Sequence, residues 1–130
     1  MSKFIELAVC GAHMRGLPLN HQLIELGATF VKKTATAKGY RLFNVPEKTP
    51  PRPGMVRDVS SEYSLELEVW SIPLENFGAF MVQVASPLCI GSVILEDESL
   101  VYGFLCESDY LKEAEEISSY GGWKIYLNLR

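Results

Sequence analysis

A chain of 130 residues with 48% hydrophobic and 22% charged side chains has the balance of one globular domain, which excludes intrinsic disorder and gives no sign of a second core. A formal net charge of -4 leaves no basic surplus to neutralise a phosphate backbone, so nucleic acid is not an expected partner. The longest apolar stretches, 7–10 and 87–95, fall far short of the roughly 20 residues a membrane helix needs, and the N-terminus lacks signal-peptide architecture, so a soluble, cytoplasmic protein without a membrane partner is expected.

Residues 4–9 are apolar and read as a strand that runs into a loop punctuated by Gly11, Gly16 and Pro18. Asn20 has the side chain of an N-cap for a short helix over 21–26, and Gly27 stands where a C′ glycine would. The β-branched run 28–36 predicts a strand, with 40–45 as its antiparallel partner across the Lys38-Gly39 turn. Four prolines in 46–57 predict a long stiffened loop. Strict alternation over 64–70 puts Leu65, Leu67 and Val69 on one face of a strand and Glu66, Glu68 and Trp70 on the other.

Pro73 suits the first turn of a helix over 74–84, ended by Ser86-Pro87. Segments 89–95 and 100–106 read as a hairpin around 96–99. Ser108-Asp109 would cap a helix over 110–117, and Gly121-Gly122 would precede a final strand over 123–129. Strands outnumber helices and join by short turns, which predicts a single α+β domain over 1–130 with a mainly antiparallel, barrel-like sheet and peripheral short helices. Cys10, Cys89 and Cys106 lack CxxC spacing and read as reduced packing residues.

Six segments taken together, 11–23, 39–43, 50–57, 68–73, 103–107 and 120–127, resemble the C-terminal domain of allophanate hydrolases, within the gamma-glutamylcyclotransferase-like fold. The resemblance implies a first loop whose backbone N–H groups cradle a substrate carboxylate, carried here by 11–16; gathered amide dipoles of this kind form an anion-binding nest. It also implies that cyclotransferases place a glutamate base just after the following helix, whereas 80–84 here reads Phe-Met-Val-Gln-Val, so that activity is not expected. The amidase reaction of allophanate hydrolases uses a Lys-Ser-Ser system in Gly/Ser-rich sequence; Ser60-Ser61 and Ser118-Ser119 are plain pairs, so serine hydrolysis is not expected either. For the C-terminal domain itself the resemblance implies cofactor-free decarboxylation of an N-carboxyurea-like carbamate within urea and allophanate nitrogen metabolism. The competing reading is a non-catalytic binding or assembly module that joins a separately encoded amidase or forms a homo-oligomer.

Such chemistry needs an oriented carboxylate and a proton delivered to nitrogen. His13 and Glu68 are the candidate catalytic residues, with Gly11, Ala12, Met14, Tyr40 and Arg41 as substrate-binding residues for a small carboxylate or carbamate. His13 reads equally as a proton-transfer group or as a loop histidine bonded to backbone, and Arg41 as a carboxylate clamp or a sheet-edge arginine. Arg52 and Arg57 flank the proline-rich segment; either could reach a ligand or stay solvated, with Arg57 read as structural or ligand-orienting. Glu107 reads as a proton donor or a solvated strand end, and Glu66 as solvent-facing. Two histidines, His13 and His21, are too few for an ordinary zinc site, so no metal and no organic cofactor is expected.

Overall fold

The computed structural model describes residues 3–45 and 48–129. Its strands are β1 (Phe4–Val9), β2 (Thr29–Ala35), β3 (Tyr40–Val45), β4 (Arg52–Arg57), β5 (Glu66–Pro73), β6 (Leu88–Ile94), β7 (Leu100–Cys106) and the two-residue β8 (Glu115–Glu116); its helices are α1 (Asn20–Glu25), α2 (Leu74–Met81) and α3 (Trp123–Leu129). The expected mixed α+β architecture is present. Five strands form one sheet in the order β2-β5-β1-β7-β6, and three form a second in the order β4-β3-β8. Every pairing is antiparallel except the short parallel contact of β1 with β7. The edges of the larger sheet meet where Thr36 bridges Leu95, with Ala37 N–H donating to Ile94 O (2.9 Å) and Glu96 N–H to Ala35 O (3.0 Å). That junction curls the sheet into the expected barrel-like form.

Strand β5 lies between β1 and β2, so both its edges are paired, and over 67–70 both its faces are buried as well. Leu67, Val69 and Ile72 are buried, and so are Glu68 and Trp70. The expectation of one apolar face therefore gives way: both faces are buried here, and the buried polar member must be paired. Around these strands Leu7, Val9, Leu42, Met55 and Leu65 form the core, each worth about 1.5–3 kcal/mol of burial before entropy is counted.

Several local expectations are corrected. β2 and β3 are not partners; β2 pairs with β5, and β3 pairs with β4 and β8. The proline-rich stretch is not loop throughout: Arg52–Arg57 forms β4, tolerated because β4 is an edge strand and Pro53 need not donate to a further neighbour. Pro46 and Glu47 of that stretch lie outside the described residues. Instead of a helix over 110–117 there is a 3-10 turn, Ser108–Leu111, followed by β8. Leu111 and Ile117 are both buried, yet six residues apart they would fall on different sides of a helix. Docking onto β3 wins, with Ile117 N–H donating to Leu42 O (2.8 Å) and Leu42 N–H to Ser118 Oγ (2.8 Å).

The final segment is helix α3, not a strand: Trp123 and Tyr126 are buried three residues apart, a helical spacing that its aromatic and branched composition conceals. Helix α2 ends at Met81, three residues short of the expected end. Helix α1 closes as expected at Gly27, whose φ of +81° allows Ala28 N–H to reach Leu23 O and Gly27 N–H to reach Ile24 O, a Schellman closure. Its N-cap, however, is Leu19. Asn20 serves the preceding loop instead.

Candidate functional site

Strand β1 delivers the chain into a loop over 10–19 that folds on itself: Met14 N–H donates to Gly11 O, Leu17 N–H to Met14 O and Leu19 N–H to Ala12 O, at 2.9–3.1 Å. Asn20 Nδ2 donates to His13 O at 2.7 Å and draws the helix start against the loop. Met14 is fully buried and acts as the plug that seats the loop in the core. Gly11 faces Pro53 so closely that an added Cβ would stand 2.4 Å from the proline Cδ, which fixes glycine there by contact. Segments 11–23 and 50–57, far apart in sequence, therefore meet at this point.

The hydrogen bonding of the loop divides it in two. Arg15 N–H donates to Glu68 Oε1 (2.9 Å), Arg15 Nε–H to Glu68 Oε2 (3.2 Å), Trp70 Nε1–H to Glu68 Oε1 (3.2 Å) and Lys124 Nζ to Glu68 Oε2 (3.2 Å). Glu68 is 2% exposed. Burial pushes its carboxyl up, but the Arg15 amide, the Trp70 indole and the Lys124 ammonium together outweigh that and hold it below the usual range. At neutral pH it is an ionised carboxylate with its lone pairs occupied. On the other side, among the described residues no acceptor meets the amides of Gly11, Ala12 and His13.

His13 stands beside those amides, 7% exposed, stacked on Phe104 with ring centroids 5.0 Å apart and edge-on to Phe80 at 5.3 Å. Its Nε2 lies 2.8 Å from Gln22 Oε1; with that oxygen accepting, Nε2 carries the proton and Nδ1 the lone pair. Burial drives its pKa down to about 4, opposed by the Gln22 hydrogen bond and assisted by the charges of Arg52 and His21. The imidazole is neutral at pH 7.

A hollow with about 10 Å³ of free space, at the threshold for one water, is lined by Cys10, Gly11, Ala12, His13, Arg52, Pro53, Leu88 and Phe104. Larger hollows lie elsewhere. One of about 460 Å³, between β1 and β7, has no basic residue in its lining. Another of about 520 Å³ sets Arg41 among Asp58, Glu62 and Glu116. Neither suits an anion.

The candidate residues thus separate. Gly11, Ala12 and His13 line one hollow, while Glu68 and Met14 hold the loop from beneath. Tyr40 is buried, its Oη accepting from Ile94 N–H (2.9 Å) and its ring under Arg57 (5.0 Å). Arg41 is bound through two nitrogens to Glu116 (2.6 and 3.0 Å) and lies 3.5 Å from Asp58. It does not join His13. Arg52, Gln22 and Phe104 do not stand out in the sequence: Gln22 and Phe104 lie inside the segments 11–23 and 103–107, and Arg52 is one of two arginines that flank the proline-rich segment. Cys10 and Cys106 are buried as expected, with thiols pushed up to about 12 and about 11 chiefly by burial, which fits packing better than nucleophilic chemistry, whereas Cys89, also expected to be buried, is exposed on β6. Among the described residues no cluster of three or more His, Cys, Asp or Glu is placed to hold a metal ion, and no helix is long and apolar enough to cross a membrane.

Comparison with known proteins gives one consistent result. Residues 5–128 match the family described as Allophanate hydrolase C-terminal domain. Urea amidolyase of Saccharomyces cerevisiae is 46% identical over 132 aligned positions, which cover 98% of this chain but 7% of that protein. The chain therefore spans less than a tenth of that curated relative. Kluyveromyces lactis allophanate hydrolase superposes with a TM-score of 0.93 at 37% identity, over 97% of this chain and 21% of that one. A uropathogenic E. coli-specific protein superposes with a TM-score of 0.90 at 33% identity, covering 98% of both chains. A gamma-glutamyl cyclotransferase, with a TM-score of 0.58 and 11% identity over 88% of this chain and 70% of its own, shares the fold alone.

Proposed function

The chain belongs to the allophanate hydrolase C-terminal domain family, and from that premise we propose that it handles a small carboxylated urea or amide in urea and allophanate nitrogen metabolism and decarboxylates an N-carboxyurea-like carbamate without a cofactor. The observation that carries this reading is the pairing of His13 with the acceptor-free amides of Gly11 and Ala12 in one hollow. The amides take a carboxylate oxygen. The negative charge then raises the affinity of the neighbouring imidazole for a proton, and His13 passes that proton to the carbamate nitrogen. The N–C bond breaks, its electron pair stays on nitrogen and carbon dioxide leaves, so that R–NH–COO⁻ and H⁺ give R–NH₂ and CO₂. Phe104, Leu88 and Pro53 make the walls apolar, which suits departure of a neutral gas and strengthens the charge interactions inside. In this reading Glu68 is a positioning residue that fixes the loop through Arg15.

The test uses an allophanate hydrolase chain deprived of its own C-terminal domain, which supplies the carbamate by its amidase reaction. Adding the 130-residue chain is expected to raise the rate of carbon dioxide release, and the His13→Ala variant is expected not to. An unchanged rate with the wild type refutes the catalytic reading.

A second reading, an assembly module for an amidase or for a second copy of the chain, draws on a different feature. Phe4, Leu100 and Tyr102 are 57%, 65% and 53% exposed around the β1–β7 hollow, which gives that face an apolar strip. Sedimentation of the chain with and without the truncated allophanate hydrolase, repeated with Leu100→Glu, decides it: association that the substitution abolishes supports the module, and a monomer in both mixtures removes it.

A further inference from the structure

We infer that Arg52 is the specificity-determining residue of the His13 hollow, the group that makes it select a carboxylated ligand over the neutral amide of the same shape. The inference rests on the reading of the first loop as a carboxylate site.

Arg52 opens β4 opposite Val45, and the next residue, Pro53, is the one pressed against Gly11. The backbone that carries this guanidinium is thus locked to the loop. Its Nε is buried and, among the described residues, has no hydrogen-bond partner. The other arginines of the described chain are engaged: Arg15 with Glu68, Arg41 with Glu116 and Asp58, and Arg57 over the ring of Tyr40. Arg52 and Arg57 belong to the same strand but stand five residues apart, and an odd separation sends their side chains to opposite faces. Only one of the pair can serve the hollow, and Arg52 is the one that lines it.

Among the described residues the lining has no carboxylate to meet the charge of Arg52. A buried N–H on a cation is costly to leave without an acceptor, and a guanidinium that shares a hollow with Gly11, Ala12 and His13 matches a planar carboxylate. A neutral amide could use the backbone amides through its carbonyl oxygen, but it has no charge for Arg52 to meet. Discrimination between carbamate substrate and uncharged urea product would follow from this residue, and it also favours release of the product.

Titration calorimetry of the full chain with malonate and with its neutral diamide, malonamide, tests this. The wild type is expected to bind malonate at least tenfold more tightly than malonamide. Arg52→Gln is expected to weaken malonate at least tenfold while leaving malonamide within twofold, and Arg57→Gln to keep the wild-type ratio. Equal affinities in the wild type, or malonate binding by Arg52→Gln at wild-type strength, overturn the role of Arg52 while the loop keeps its ligand. A wild type that binds neither probe instead brings down the carboxylate reading, and this inference with it. Should Arg52→Gln fail to fold, the side-chain Nε–H resonance of Arg52 in the wild type decides: malonate should shift it, and an unmoved signal at saturation contradicts the proposal.

Discussion

The two sides of the first loop make opposite uses of buried polarity. Beneath Arg15, one carboxylate collects four donors and the cluster is complete. Around Gly11 to His13, three amides and a guanidinium nitrogen have no acceptor among the described residues, beside an imidazole held neutral. Native proteins leave few buried polar groups unpaired. The comparison teaches where to look for a ligand: a saturated cluster holds the loop in place, and the unsaturated one beside it is what the holding is for.

The largest expected effect lies on the saturated side. Glu68→Ala removes the acceptor for the Arg15 amide, the Trp70 indole and two cations; the cations keep contact with solvent, and the two N–H donors left without an acceptor cost about 1–3 kcal/mol each. Urea denaturation measures it. A loss under about 1 kcal/mol would mean that the loop does not depend on this cluster, and the contrast drawn between its sides would collapse.

Next comes pH. His13 titrates at about 4 in the folded chain against about 6.5 when unfolded, so between those values the unfolded chain binds more protons and stability rises with pH. Its contribution is full above about 6.5, is lost as pH falls toward 4, and amounts to roughly 3 kcal/mol at about 1.4 kcal/mol per pKa unit. Glu68 works in a lower window: its folded pKa is depressed, so its contribution holds above the ordinary carboxylate value and fades below it. Thermal melts from pH 4 to 7 should therefore slope in the wild type and flatten in His13→Gln. Parallel slopes in the two proteins would show that His13 is not the group being held neutral.

The smallest effect belongs to the arginine that the sequence put forward as a ligand clamp. Arg41 pairs with Glu116 and Asp58 on a partly exposed face, and such pairs are worth at most about 1 kcal/mol. Arg41→Gln should cost no more than that in a melt and should leave malonate binding unchanged. Weaker malonate binding in this variant would move the site away from His13.

What could be read from the chain, and what could not, follows from how local each signal is. Strand β1, strand β7 and the Gly27 stop are written in consecutive residues, and so is the Gly11–His13 loop with its glycine and histidine. The errors fall where partners are distant. Prolines demote a segment to loop unless an edge position excuses them, and the edge position of β4 is a property of the three-stranded sheet, not of residues 52–57. Helix α3 declares itself only through the burial of Trp123 and Tyr126, and the 110–117 helix yields to hydrogen bonds on β3. Arg52 and Arg57 look alike in one dimension. Strand parity and the contact of Pro53 with Gly11 are what distinguish them.

The central claim is that the amides of Gly11, Ala12 and His13 receive a small carboxylate. Backbone amide spectra of isotopically labelled wild-type chain, titrated with malonate at pH 7, test it most directly, with Gly11→Ala as the control because its new Cβ collides with Pro53. The account predicts saturable shifts concentrated at those three amides, little movement at Arg15, whose amide is already given to Glu68, and no saturable response in Gly11→Ala. Shifts centred on Arg41 and its neighbours, or none at any amide, would contradict it.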